Sequence, residues 1–379
     1  MLDWKLYKLS EIAEVKYGKA HQSLDDGNIP AYGSGGLMRY VNRAIYEEES
    51  ILIPRKGSLN NILFKKEPFW TVDTMFWTIL NKRIVYPKFL YYLLTTFDFA
   101  NMNVGSAVPS MTIDVLNNLN LFVPSLPEQI EIAEILSSLD DKIDILHRQN
   151  KTLEQIAETL FRQWFVEEAE EGWEVEKLGE VAVVQNGYAF RSKDYVTYQE
   201  GHLEVLKMGH IAVGGGLRTN PKKDFVPREE KLKKWTLNKN DIIMGMTDMK
   251  DNVVILGVPA IIDKSEKYVL NQRVARIYLK TNEKLLNCYL LYIQLNNKDF
   301  ISTLQSKANS GVQVNLSTEE IRNCEILIPP MELQKDMGNT IADLFMKKDN
   351  NLMQIRTLTK LRDSLLPKLM SGEVRVFKK

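Results

Sequence analysis

The chain is written twice, and that duplication limits the folds open to it more than any other feature. From Trp4 it reads W-K-L-Y-K-L-S-E-I-A-E-V-K-Y-G, and from Trp173 it reads W-E-V-E-K-L-G-E-V-A-V-V-Q-N-G. Seven positions agree at an offset of 169 residues: Trp4/Trp173, Lys8/Lys177, Leu9/Leu178, Glu11/Glu180, Ala13/Ala182, Val15/Val184 and Gly18/Gly187. Farther along, the register returns at an offset of 205. There Leu121-Phe-Val-Pro124 answers Ile326-Leu-Ile-Pro329, and Gln129 answers Gln334. Thr152/Thr357, Leu153/Leu358 and Leu160/Leu365 hold it through a helical segment. The growth from 169 to 205 places 36 extra residues in the second copy. Solenoids and propellers repeat every few tens of residues, so this period is a whole domain plus a linker helix. Duplicated halves suit a target that is itself read in two halves.

The linker helix carries its own signal. Ser125-Leu-Pro-Glu128 reads as a capping box, with proline in a first turn that tolerates it. Apolar positions follow at Ile132, Leu136, Leu139, Ile143, Leu146, Leu153, Ala157, Leu160 and Trp164, and with Asn150 the spacing alternates four and three. That is a coiled-coil seam, in which one asparagine can fix register and partner orientation. The helix is expected to run to about Val166. The second copy repeats it from Pro329-Pro330 through Met337, Ile341, Leu344, Lys348, Asn351, Ile355, Leu358, Arg362, Leu365 and Leu369. Lys348, Asn351 and Arg362 interrupt that seam, which would suit a helix touched by another subunit. Two long helices separated by a globular segment most simply pair with each other antiparallel; pairing between molecules is the alternative.

These signals divide the chain into a first lobe at 1–126, a helix and linker at 127–171, a second lobe at 172–331 and a second helix with its tail at 332–379. Net charge is zero overall, yet residues 127–171 hold twelve acidic and four basic side chains, so the remainder sums to +8. An acidic rod between mildly basic lobes fits lobes that touch phosphate and a rod that does something else, although solvated charged faces would give the same count. No apolar run approaches the ~20 residues of a membrane span, and the start lacks a signal-peptide layout, which points to the cytoplasm. Cys288 and Cys324 have apolar neighbours and read as reduced core residues.

The lobes read as α+β with strands dominating. Short β-rich runs occur at Ser50–Pro54, Thr71–Leu80, Asp241–Gly245, Val253–Gly257 and Val274–Tyr278, bounded by glycine, proline or asparagine. Helical stretches at Pro87–Leu94 and Leu285–Tyr292 correspond between copies. Polar, glycine-bearing loops flank the strands, and they supply the candidate DNA-binding residues. In the first lobe these are Lys19, His21, Gln22, Ser34, Arg55, Lys56, Asn60, Ser106 and Ser110. In the second they are Tyr188, Arg191, Lys193, Thr247, Lys250, Gln313 and Asn315. Arg and Lys meet phosphates or guanine edges, Asn and Gln can pair with adenine, and glycine lets the backbone come close. Each loop alone also reads as an ordinary turn.

Catalytic signatures are missing. There is no G-x-x-x-x-G-K-[ST] loop, no Asn-Pro-Pro-Tyr or Asp-Pro-Pro-Tyr run, no metal-ligand spacing and no Cys–His or Ser–His–acid set matched between copies. Gly209-His-Ile-Ala-Val-Gly214-Gly-Gly reads as a turn rather than a nucleotide site. The chain therefore reads as non-catalytic, with no metal.

Five segments together resemble the specificity subunit of Type I restriction–modification systems. They are Ala31-Tyr-Gly-Ser-Gly-Gly36, Gly105-Ser-Ala-Val-Pro-Ser110, Val123-Pro-Ser-Leu-Pro-Glu-Gln129, Leu160-Phe-Arg-Gln-Trp-Phe-Val166 and Leu365-Leu-Pro-Lys-Leu-Met-Ser-Gly-Glu-Val-Arg-Val376. The resemblance covers essentially the whole chain. It implies two tandem target-recognition domains, each followed by a long helix, the helices pairing as an antiparallel coiled coil with internal pseudo-twofold symmetry. Each domain would read one half of a bipartite double-stranded DNA site, and the coiled coil would set the spacer. It implies no cofactor in this chain. Two methyltransferase subunits would bring S-adenosylmethionine, and restriction subunits would use ATP and magnesium. The helix interface would involve Leu136, Leu139, Ile143, Leu146, Asn150, Leu153, Leu160 and Trp164 on the first helix. On the second it would involve Ile341, Leu344, Ile355, Leu358, Leu365 and Leu369. The rival reading is a coiled-coil interaction scaffold whose lobes bind protein.

Overall fold

Each sequence copy folds on the same strand plan, and the repeat offsets reappear as repeated backbone hydrogen bonds. The structure is a computed structural model that describes residues 4–102, 110–169, 173–218, 221–249, 253–280, 287–310 and 313–376, the side chains at 309, 310 and 313 excepted. Residues 1–146 with 354–379 form one compact unit, and 147–353 form the other. Each unit thus holds one lobe and a stretch of both long helices.

In the first unit, strand Lys5–Lys8 pairs antiparallel with Asn120–Val123. A single helical turn, Leu9–Ile12, leads into strand Ala13–Tyr17. That strand edges a four-stranded sheet whose order is 13–17, 75–80, 50–54, 63–65. Ser50–Pro54 is buried along its whole length, which is why it reads as a continuous apolar run rather than an alternating one. A second sheet orders 36–41, 29–33 and 70–71, the first pair antiparallel and the second parallel. The second unit repeats this. Glu174–Lys177 pairs with Glu325–Ile328. The four-stranded sheet orders 182–186, 274–279, 242–245 and 259–261, and the mixed sheet orders 225–226, 203–206 and 268–270. Added to it is a small sheet of 247–249, 313–315 and 309–310.

The joints between these parts are the same bonds in both copies. Leu9 N–H donates to Leu119 C=O at 3.0 Å, and Leu178 N–H donates to Cys324 C=O at 2.8 Å. Lys19 N–H donates to Thr71 C=O at 2.9 Å, and Tyr188 N–H to Leu270 C=O at 2.8 Å. Val72 N–H to Tyr32 C=O at 3.0 Å answers Asn271 N–H to Leu206 C=O at 3.1 Å. Gly18 and Gly187 sit at this crossing. A Cβ would stand 2.0 Å from the Val72 carbonyl oxygen at one and 2.2 Å from the Asn271 carbonyl oxygen at the other. Only glycine permits such an approach, which accounts for the glycine pair at the 169 offset.

Two strand expectations need correction. Thr71–Leu80 is two strands, Trp70–Thr71 and Met75–Leu80, because a turn at 72–74 carries the chain from one sheet to the other. Val253–Gly257 is no strand where it is described. The buried Asp248 carboxylate accepts from the N–H groups of Val254 (2.7 Å), Ile255 (2.6 Å) and Leu256 (3.2 Å), so this apolar run wraps around an anion instead of joining a ladder. The glycine-rich 212–216 segment is a turn, as expected: Gly214, Gly215 and Gly216 all have positive φ. Cys288 is half-buried and Cys324 buried, and burial pushes the Cys288 thiol up to about 11.

The first long helix spans Leu126–Arg162 and closes with a π-helical turn, Gln163–Glu167, rather than running straight to Val166. That widened turn buries Phe165, which stacks on Phe161 and meets Trp173 edge-on. The second spans Met331–Met370. In the first unit Asp140 meets Arg362 and Glu128 meets Arg375 of the tail; in the second, Asn150 meets Asn351 and Glu154 meets Lys348. Partner numbers fall as the first helix advances, so the helices run antiparallel in each unit. Leu136, Ile143, Leu146, Asn150, Ile341, Ile355 and Leu369 are buried, while Leu139, Leu153, Leu160, Trp164, Leu344, Leu358 and Leu365 are half-buried.

The interruptions of the second seam are not vacancies for another subunit. Lys348, Asn351 and Arg362 are each answered by a polar residue of this chain's own first helix. Glu128, the glutamate of the expected capping box, accepts both Arg375 nitrogens at 3.1 and 3.0 Å. Gln129 and Gln334 also earn their correspondence. Each side-chain amide donates to the proline carbonyl five residues back, Pro124 and Pro329, both at 2.9 Å, fastening the last strand of the lobe to the helix start.

The lobes grip the rod differently. Tyr92, in helix Pro87–Thr95, donates its hydroxyl to Asp140 at 2.6 Å, and Arg362 donates to the other carboxylate oxygen at 2.9 Å. Burial and the neighbouring carboxylate raise the Tyr92 phenol well above its usual range, so it stays a donor. In the second unit Tyr292 meets Phe345, the residue 205 places after Asp140, with rings 5.3 Å apart at 89°.

Two stability predictions follow from these joints. Gly18→Ala or Gly187→Ala is expected to cost at least about 2–3 kcal/mol by thermal unfolding, whereas Gly35→Ala, which has open space around it, changes stability by less than about 0.5 kcal/mol. Asn150→Leu or Asn351→Leu alone leaves a buried amide unpaired and is expected to cost about 1–3 kcal/mol; the double variant recovers most of it. A double variant as unstable as the summed singles would refute the pairing argument.

Candidate nucleic-acid interface

In the first lobe, three strand ends converge on one polar surface. Strand 13–17 delivers Tyr17 and then Lys19. The buried strand 50–54 delivers Arg55 and Lys56, and hairpin 29–41 delivers Tyr32 and Ser34. Strand 63–65 runs antiparallel to 50–54, so Lys65 lies across from Ser50 at the far end of that strand and reaches Tyr32 from there. Contacts link them in a chain. The Arg55 guanidinium lies 5.2 Å from the Tyr17 ring centroid, and Tyr17 packs on the core residue Phe76 at 5.2 Å. Gly57 faces Ser34, where a Cβ would stand 3.1 Å from Oγ. Asn61 donates to the Ser34 carbonyl at 2.8 Å, and Lys65 Nζ sits 3.9 Å over the Tyr32 ring. Lys56 and Ser110 form an antiparallel bridge. Cations held over aromatic faces at exposed strand ends suit phosphate and base contact.

Of the candidates from sequence, Lys19, Ser34, Arg55, Lys56 and Ser110 fall on or beside this surface. His21 and Gln22 lie in the turn that follows Lys19, and no contact among the described residues ties them to Arg55. Asn60 braces a loop, donating to Asp98 at 3.2 Å and accepting from Ala100 N–H at 3.1 Å. Ser106 lies outside the described residues.

The second lobe arranges its candidates in two groups. Tyr188 is half-buried between Phe190 (4.8 Å) and Trp235 (4.9 Å), with exposed Arg191 and Lys193 following in a short turn. Thr247 and Asn315 face each other across the small sheet, where Thr247 is buried and Asn315 exposed. Gln313 belongs to that sheet, but its side chain, like all of Lys250, lies outside the description. Sequence reasoning missed Tyr17, Tyr32 and Lys65 in the first lobe, and Tyr195 and Lys207 in the second. Lys207 Nζ lies 4.1 Å from the Tyr195 ring and 2.6 Å from Asp224. The available signal was a tyrosine beside each glycine turn.

Beneath this second surface a buried pair, Glu204 and His210, is joined at 3.1 Å. Burial alone would raise the Glu204 carboxyl, but the His210 hydrogen bond and the Lys267 and Lys223 charges outweigh it and hold the group below its usual range. Burial raises Asp241 despite its 2.8 Å pairing with Arg276. Both pairs lie in the lobe interior and support strands. Among the described residues no cluster of His, Cys, Asp or Glu could hold a metal ion, and no helix is long and apolar enough to cross a membrane.

Comparison with known proteins agrees with this organisation. The family model for the Type I restriction modification DNA specificity domain matches residues 1–155 and again 170–360. The MjaIX specificity subunit of Methanocaldococcus jannaschii is 26% identical, covering 99% of this chain and 94% of that protein. The HindI specificity subunit of Haemophilus influenzae is 25% identical, covering 80% and 81%. The crystal structure of the Type I restriction–modification S subunit from M. genitalium superposes with a TM-score of 0.62 at 17% identity, covering 100% of this chain and 97% of that one, a likeness of fold. With the family model matched across both lobes and most of both helices, the chain belongs to the Type I restriction–modification DNA specificity subunit family.

Proposed function

We propose that each lobe reads one half of a bipartite duplex DNA site and that the paired helices set the unread spacer between the halves. The observation that carries this reading is the repetition of one strand plan, with the same joint hydrogen bonds, under different loop-end residues. At the exit of the central strand the first lobe has half-buried Arg55 and exposed Lys56, whereas the second buries Met246 and Thr247 there and exposes its cations Arg191 and Lys193 in another loop. One frame with two different reading edges suits two unlike half-sites. The chain itself performs no chemistry and holds no cofactor. Two methyltransferase subunits carry S-adenosylmethionine, restriction subunits use ATP and magnesium, and the complex works in the cytoplasm.

Support for partner docking comes from apolar residues left exposed on the helices, among them Ile145, Ile156, Met346 and Met353. Apolar side chains exposed on charged helices suit a partner's helical surface.

Exchanging residues 1–126 for the first lobe of another family member should change one half of the methylated sequence and leave the other half intact; methylation sequencing in a host expressing the complex checks this. Inserting seven residues into each helix at matched positions should lengthen the spacer while preserving both half-sites. An unaltered spacer would remove the helices from the role of ruler.

A further inference from the structure

We propose that Arg55 is a guanine-reading, specificity-determining residue of the first lobe, distinct from neighbouring cations that only hold phosphate. This rests on the reading of the lobe as a DNA reader. Three observations set Arg55 apart from the other basic residues of the surface. Its backbone is clamped on both sides, with Arg55 N–H donating to Thr74 C=O at 2.8 Å and Arg55 C=O accepting from Met111 N–H at 2.8 Å. Its guanidinium is stacked over Tyr17, whose ring rests on Phe76 in the core. Among the described residues it makes one side-chain hydrogen bond, from Nη1 to the Asp73 carbonyl at 3.2 Å.

A guanidinium has five N–H donors in a planar fork, and that fork matches the paired O6 and N7 acceptors of guanine in the major groove. With one donor and one face engaged, the fork is held in place and the opposite edge remains to meet a base. Ordering the side chain before binding removes much of the entropy cost of using it. Lys65 contrasts with it. Its ammonium over Tyr32 is a point charge without bidentate geometry, suited to phosphate, which positions but does not specify.

The test compares two variants that lose the same charge, Arg55→Gln and Lys65→Gln, in the full complex with its methyltransferase subunits. Binding is measured on duplexes substituted at each position of the site, across a salt series. Lys65→Gln should flatten the salt dependence, and Arg55→Gln should alter it less. Arg55→Gln should in addition reduce discrimination at one G·C pair of the first half-site by about ten- to a hundredfold, leaving the second half unchanged. Lys65→Gln should weaken all sequences equally. Unaltered discrimination in Arg55→Gln, or a uniform loss like that of Lys65→Gln, overturns the assignment. Should Arg55→Gln fail to assemble, Arg55→Ala is scored the same way, with second-half discrimination as the internal control. If replacing the whole of 1–126 also leaves the first half-site unchanged, the reading of the lobe fails rather than the assignment of Arg55 alone.

Discussion

The lobes depend on a backbone crossing that tolerates no side chain. At Gly18 and at Gly187 the exit of the first sheet strand passes directly over the carbonyls where a short strand of the mixed sheet turns toward the next long strand. That crossing joins the four-stranded sheet to the mixed sheet, and it fixes where Lys19 and Tyr188 emerge. It also sets Tyr17 against Phe76, which in turn supports Arg55. Because the contacts are backbone to backbone, the surrounding loops can change sequence freely while the frame persists. A duplicated frame with unlike edges is the expected result of that division.

The helices obey a different constraint, the matching of polar interruptions. A seam that is apolar throughout could slip by a heptad at little cost, since each register buries similar surface. Asn150 with Asn351, Lys348 with Glu154 and Arg362 with Asp140 remove that freedom, because every slip would strand polar groups in partly dry surroundings. The first helix carries an asparagine where the second, 205 residues on, carries Ile355; Asn351 in turn corresponds to Leu146. The two helices are thus equivalent in length and period but not in side-chain chemistry.

Much of this was legible in the sequence, and the reasons differ by level. The duplicated frame showed because its joints need particular residues: glycine at 18 and 187, and glutamine at 129 and 334 reaching back to a proline carbonyl. The coiled coil showed because a seam of four and three leaves a local pattern. Val253–Gly257 misled because an apolar run around a buried carboxylate has the same composition as a strand; only Asp248, outside the run, distinguishes them. The polar breaks at Lys348 and Arg362 were misread because their partners lie some two hundred residues away. Arg55 was legible as a basic loop residue, whereas its support by Tyr17 and Phe76 arises only when separate strands come together.

The two grips on the rod carry an implication for how such chains exchange parts. Tyr92 of the first lobe meets a carboxylate paired with an arginine, whereas Tyr292 of the second meets an aromatic ring. Both seats receive a tyrosine from the lobe, so what differs lies on the helices: a carboxylate already paired with Arg362 at one seat and the Phe345 ring at the other. The difference between the seats is therefore borne by the helices and not by the lobe side chain that meets them. An exchanged lobe would bring the same side chain to either seat, and the asymmetry would stay behind with the frame.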